Sequence, residues 1–313
     1  ISGAELSDGA RVSIVGNTAT IRLHNNKLSP ATNYYVTLDS GLLVGTINGD
    51  AFNGIGPGAW SFTTKAAPLS NTAVRVSATE PGADFRTVQG ALNWIMARCY
   101  SSVSANGCNT VASPKTITVG AGLYPELLML RNVANLSIVG ESRAGVIVGD
   151  VNFESLNSGS GASATSATTT LSTSGKVVGH RSLGGGRAVL LVEGADLLSL
   201  SNFTLQNAHV RTSTYDNQAE AIYFNTGTAA NAARMVAKQM NFLSEQDTLQ
   251  LKGYVWVYQS LVAGNVDYIW GNVMAALFED CEIRSVFDNS SSSPGYIVQA
   301  RATAGDKGFV FLN

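Results

Sequence analysis

Short apolar strands that return about every twenty residues constrain this chain more than any other feature. The segments Asn241-Phe-Leu, Ser260-Leu-Val and Cys281-Glu-Ile begin 19 and then 21 residues apart (260 − 241 and 281 − 260). A unit of that length cannot bury its own apolar face, so it must stack on copies of itself, as solenoids do. Further strand patterns at 116–119, 136–139, 188–192, 203–205 and 222–224 follow with few hairpin turns and little helix between them, which argues for parallel stacking. Leu200-x-x-Phe203-x-Leu205-x-Asn207 hints at a leucine-rich repeat, but later periods do not sustain that template. A parallel β-helix is expected instead. The single helical pattern, 85–96, carries Val88, Ala91, Leu92 and Ile95 at helical spacing with Asp84 placed to cap it, and reads as the end cap of the solenoid.

The grammar before residue 66 is different. Strands at 19–23, 34–38 and 60–64, broken by Asn, Gly and Pro clusters, describe a β-sandwich. The phrases Leu28-Ser-Pro-Ala-Thr-Asn-Tyr-Tyr-Val-Thr-Leu38 and Trp60-Ser-Phe-Thr-Thr64 resemble the later strands of bacterial immunoglobulin-like modules that precede extracellular enzymes. The expected organisation is a partial Ig-like module at 1–65, a linker at 66–71 containing Pro68, and a solenoid at 72–313, interrupted at 155–186 by a Ser/Thr/Gly/Ala-rich excursion. Only 13% of residues are charged and the net charge is −2, with no basic run, so neither a nucleic-acid backbone nor an anionic membrane is an expected partner. No run of ~20 apolar residues is present to span a membrane. Cys99 and Cys108 flank a polar loop, either bridged or as two free thiols, and Cys281 is left over. Their spacing fits no zinc pattern, and His24, His180 and His209 lie in unrelated segments, so neither a metal site nor a Ser-His-Asp triad is expected.

Two segments carry the chemistry: Gln246-Asp247-Thr248-Leu249 and Asp267-Tyr-Ile-Trp270-Gly-Asn272. Asp247 and Asp267 are twenty positions apart, one repeat. Stacked turns would set them on neighbouring strands about 4.8 Å apart and pointing the same way. Two carboxylates so close cannot both ionise cheaply, and the pair divides into a proton carrier and an anion. Gln218, 28 positions before Gln246, falls on the turn above, and the two amides are suited to stabilising a developing oxyanion.

At these residues the chain resembles the pectin methylesterase family, carbohydrate esterases built on a right-handed parallel β-helix. The family blocks appear in order: Gly82-Ala-Asp-Phe-Arg-Thr-Val-Gln89, Gly122-Leu-Tyr-Pro-Glu126, Gln218-Ala-Glu-Ala-Ile222, Gln246 to Leu249, Asp267 to Gly271 and Tyr296-Ile-Val-Gln-Ala-Arg301. The resemblance implies an all-β fold and hydrolysis of methyl esters of homogalacturonan (pectin) to pectate and methanol. Asp267 would be the nucleophile, Asp247 the general acid and base, and Gln218 and Gln246 the oxyanion donors. Val266, Trp270 and Glu220 would contact substrate. It implies no metal or organic cofactor, a monomer, and a secreted, periplasmic or cell-surface location.

Two departures stand out. Glu220 replaces an apolar residue of its block and is expected to add negative charge to the cleft. The family's arginine partner of the nucleophile belongs to a block downstream of the last residue here, and Arg301, part of an earlier block, is no substitute. The chain is therefore expected to be cut at both ends and poorly active. Two other functions use the same features. Paired carboxylates also serve a β-helix glycosidase, and an inactive solenoid would act as an extracellular carbohydrate-binding protein.

Overall fold

The short strands read at 116–119 and 136–139 alternate inward and outward side chains and close into a solenoid in the computed structural model. The structure describes residues 12–21, 28–43, 46–47, 49–99, 110–154, 170–171, 177–178, 186–212, 217–225, 232–287 and 295–313. The chain divides into two compact units, Leu23–Leu69 and Ser70–Asn313, with Ile1–Arg22 grouped with the second. The sequence pattern had joined residues 1–22 to the first unit. Leu23–Leu69 holds short antiparallel pairs, Asn33–Tyr35 with Ser61–Thr63 and Thr46–Ile47 with Asp50–Ala51. Tyr34 stacks on Phe62 at 5.8 Å.

The second unit winds three parallel faces. The first contains Leu128–Arg131, Leu190–Glu193, Ile222–Asn225, the leading halves of Leu249–Tyr258 and Ile269–Glu279, and Val298–Ala300. The second runs from Ala73–Val76 through Lys115–Val119, Leu136–Gly140, Leu198–Ser201 and Arg234–Lys238 to the trailing halves of the two long strands and Gly308–Leu312. The third is built from Gly122–Tyr124, Val146–Asp150, Thr204–Asn207, Asn241–Leu243, Leu261–Gly264 and Glu282–Ser285. The long strands turn the corner between the first two faces at Gly253, where the register shifts against the next turn. Inside, Leu190, Ile222, Leu249 and Ile269 form one fully buried column. Each such side chain contributes about 1.5–3 kcal/mol of transfer free energy.

The repeat is more regular than the sequence pattern indicated. Asn241 pairs with Leu261 and Leu261 with Glu282, so successive periods are 20 and 21 residues. Ser260 and Cys281 each stand one residue before the position in register with Asn241, because the inward position of each turn is Phe242, Val262 and Ile283. The turns are equally regular: Gln239, Gln259 and Asp280 all adopt left-handed backbone, and each N–H donates to a carbonyl of the next turn at 3.0 Å.

The helix spans Val88–Cys99, three residues later than expected, and packs against the first turns, with Val88, Ala91, Leu92 and Ile95 buried. Asp84 does not cap it, since its carboxylate accepts from Arg75 N. Thr87 Oγ1 accepts from Gly90 N at 3.1 Å, while the Glu126 carboxylate accepts from the N–H groups of Val88 and Gln89 at 2.8 and 2.9 Å. A carboxylate on those first-turn donors also meets the positive end of the helix dipole. This explains why Glu126 belongs to a recognisable block. Residue 108 and the Cys99 side chain lie outside the described residues, as does most of the excursion at 155–186, and with them the disulfide question.

Candidate active site

Asp247 and Asp267 each occupy the left-handed residue of a turn that enters the first face, with φ of 59° and 47°. Aspartate tolerates that conformation better than most residues. In both turns the next residue plugs the interior: Thr248 and Tyr268 are fully buried, Thr248 Oγ1 donating to Ala263 O. Gln246 pairs with Val266, Asp247 N donates to Val266 O at 3.0 Å, and Leu249 N to Tyr268 O at 2.9 Å. The two aspartates are therefore strict register neighbours, one turn apart.

The turn above brings a correction. Ile222 pairs with Leu249, an offset of 27, so the residue in register with Asp247 is Glu220, while Gln218 stands level with Glu245. Three acids, Glu220, Asp247 and Asp267, thus occupy one column. Glu220 has no exposed surface, which removes it from contact with substrate and from the cleft it was expected to charge. Its partner is Arg187, whose side chain is only 4% exposed. Arg187 Nε donates to both Glu220 oxygens at 2.9 and 3.0 Å, its Nη1 to Gln218 Oε1, and its Nη2 to Asp247 Oδ2 at 3.2 Å. Glu154 lies 3.4 Å from the same Nη1.

Burial, then the neighbouring Glu220, pushes the Asp247 carboxyl well above the usual carboxylate range; Arg187 opposes this and Asp267 adds to it. Burial also raises Asp267, with Arg301 opposing. Of the two, Asp247 is the more strongly raised, so within the pair its protonated form is the more favoured. Because the folded Asp247 carboxyl titrates above its unfolded value of about 3.9, its contribution to stability is present below that pH and is lost as pH rises through the raised value. Asp247→Asn, which cannot ionise, is expected to be more stable than the parent at neutral pH by about 1–2 kcal/mol, the usual gain when a strained site is relieved. The two should converge below about pH 4, and thermal melts across pH 3–8 check this.

Gln218 and Gln246 are both half-buried. With Gln218 Oε1 held by Arg187, its Nε2 is the free end; Gln246 Oε1 is buried without a partner among the described residues. No hydrogen bond among the described residues engages the Nε2 of either amide. Val266 is half-exposed beside Asp267. Trp270 keeps only 5% of its surface, and the Arg301 guanidinium covers its ring at 4.7 Å, so the aromatic platform expected for a sugar carries an arginine in this structure. Gln299 Nε2 donates to Asp267 Oδ2 at 3.0 Å, and Arg301 Nε to Gln299 Oε1 at 3.0 Å. Arg301, set aside on sequence grounds, thus reaches the Asp267 carboxylate through Gln299.

No protein-family model matches the sequence, and no curated protein does. Solved structures do match. A pectin methylesterase from Erwinia chrysanthemi aligns with a TM-score of 0.55 at 22% identity, over 78% of this chain and 65% of that one. A mutant pectin methylesterase in complex with a hexasaccharide aligns with a TM-score of 0.54 at 21% identity, over 79% of this chain and 67% of that one. The chain carries the pectin methylesterase fold. The enzyme from Aspergillus niger agrees, with a TM-score of 0.52 at 21% identity over 79% and 69%. This chain spans about two thirds of the length of these pectin methylesterases.

Within the pectin methylesterase fold, sequence reasoning missed Arg187, Gln299 and Arg301 as neighbours of the acids. A signal for the first was present: an acid inside the strand pattern Ala219-Glu-Ala-Ile222 requires a buried cation, and Arg187 opens the apolar strand of the preceding turn. His209 takes no part, its buried ring stacking on Phe153 at 3.9 Å and its Nε2 lying 2.9 Å from Asn217 Oδ1. Among the described residues no cluster of three metal-binding side chains occurs.

Proposed function

We propose that this chain hydrolyses the methyl esters of homogalacturonan, with Asp267 as nucleophile and Asp247 as acid and base. An Asp267 oxygen attacks the ester carbonyl, and the tetrahedral oxyanion accepts hydrogen bonds from the Nε2 groups of Gln218 and Gln246. Asp247 gives its proton to the methoxy oxygen, which leaves as methanol, and Asp267 is left as an acyl anhydride. Asp247, now an anion, takes a proton from water as that water attacks the galacturonyl carbonyl. The product is a galacturonic acid unit, which gives its proton to solvent and leaves as the carboxylate, with Asp267 ionised and Asp247 protonated as at the start. Val266 and, once Arg301 moves aside, Trp270 would border the sugar.

The observation that carries this reading is the strict register of Asp247 and Asp267, with burial favouring the protonated form of the former. Likeness in fold to pectin methylesterases, one of them in complex with a hexasaccharide, supports a polygalacturonate substrate. A polymer of that kind places the activity outside the cytoplasm. Among the described residues no helix is long and apolar enough to cross a membrane.

Methanol and reducing ends measured together on methyl-esterified homogalacturonan test the proposal. Methanol at constant chain length is expected. Chain shortening without methanol would make the chain a glycosidase, and calorimetric binding without either product would make it a binding protein. Gln246→Ala is expected to lower kcat about 10²–10³-fold with KM little changed, the cost of one oxyanion donor, as steady-state methanol assays will show.

A further inference from the structure

The Arg187–Glu220 pair has no place in the steps above, yet it touches two residues that do. We propose that Arg187 and Glu220 are a positioning pair that sets the Asp247 carboxyl and the Gln218 amide for reaction. This rests on the esterase reading for its catalytic meaning, but its physical content is independent of it.

One guanidinium spans three acceptors from a single buried point. Its Nε takes both oxygens of Glu220, its Nη1 takes the Gln218 carbonyl, and its Nη2 takes Asp247 Oδ2. Guanidinium presents its donors in a fixed plane, so holding Glu220 at one edge fixes where the other two groups must sit. Gln218 has two ends of nearly equal shape. Arg187 accepts no hydrogen bond, so the oxygen must face it and the Nε2 must face away, which is the orientation an oxyanion donor needs.

Charge follows from the same contacts. The groups acting on Asp247 are Glu220, Arg187, Asp267 and Arg301. Glu220 is completely buried and makes the two shortest carboxylate contacts to Arg187, so it is the acid that this buried guanidinium chiefly compensates. With that cation neutralised, a second buried anion at Asp247 would be uncompensated, and the cheaper state keeps Asp247 protonated. Glu220 thus acts through Arg187 and through its own charge, without touching substrate.

The test follows the Asp247 carboxyl by ¹³C NMR, assigned with Asp247→Asn, in the full chain and in three variants. Glu220→Gln releases Arg187 to Asp247, and the Asp247 midpoint should fall by about one pH unit or more, the usual effect of a nearby charge. Arg187→Met should raise it by a similar amount. Arg187→Lys keeps the charge and loses the fork: the midpoint should stay near the parent's while kcat falls about tenfold at unchanged KM, as expected for one weakened donor. In an active chain the alkaline limb of kcat/KM must move with each NMR midpoint. Arg187→Lys is also the variant expected to fold if the two neutral ones do not, and an unchanged kcat in it would overturn the role given to Gln218. An Asp247 midpoint unmoved in both Glu220→Gln and Arg187→Met, with only the melting temperature lowered, would overturn the proposal and leave the pair as packing. Absence of methanol release by the parent would sink the esterase reading alone, because the NMR midpoints still decide whether the pair controls Asp247.

Discussion

Asp267→Ala is expected to abolish methanol release, by about 10⁴-fold or more, the loss that follows removal of a covalent nucleophile from an otherwise intact site. The fold should tolerate the change. Asp267 is half-exposed, among the described residues its side chain holds only the hydrogen bond from Gln299, and alanine at its left-handed turn adds a strain of only about 1 kcal/mol. The melting temperature should therefore stay within a few degrees of the parent's. Asp267→Asn separates two roles: if the carboxylate only oriented a water, the amide would retain part of the rate, whereas a nucleophile leaves nothing. Full activity in either variant would reject the mechanism.

Gly271→Ala is expected to produce the largest loss of stability. Gly271 follows Trp270 with φ of 135°, and a Cβ there would stand 2.0 Å from Leu251 O and 2.9 Å from Leu251 N on the turn above. Both are backbone atoms of a fully paired strand, so neither turn moves without breaking its ladder. Adding overpacking of about 1–3 kcal/mol to a backbone strain of about 1–3 kcal/mol gives a cost of about 4 kcal/mol. For a chain of this size that lowers the melting temperature by about 10 °C. Gly271 O also accepts from Arg301 N at 2.9 Å, so the substitution should disturb Arg301 and Trp270 as well. Gly82→Ala is the control: a Cβ there meets nothing within 4 Å, and its melt should match the parent's.

What the sequence disclosed follows from what repeats make visible. A solenoid writes its vertical neighbours at a fixed interval, so the twenty residues between Asp247 and Asp267 translate directly into adjacent turns. The same arithmetic weakens wherever a turn carries an insertion. Between Gln218 and Gln246 a longer loop intervenes, and the observed offset of 27 puts Glu220, not Gln218, above Asp247. It fails between Arg187 and Glu220, whose 33-residue separation reflects a longer connection and has no periodic meaning. Glu220 was therefore legible as an intruder in an apolar strand but not as half of an ion pair. The position of Arg301 was hidden for a different reason: its hydrogen-bond link to Asp267 passes through Gln299, and relays of side chains leave no spacing to read. The helix start was missed because its first N–H groups are met by Thr87 and by Glu126, almost forty residues away in sequence, and not by Asp84.

The division of labour between the stacked acids meets its most direct test in the Asp247→Asn variant given an aryl ester of a galacturonate oligomer. An aryl leaving group departs without a proton, so acylation of Asp267 does not require Asp247, whereas deacylation loses its base. A burst of about one phenol per chain should precede a slow steady rate, and peptide mass spectrometry should find the galacturonyl group on Asp267. No burst, or an adduct on any other side chain, would contradict the assignment of Asp267 as nucleophile and Asp247 as its acid and base.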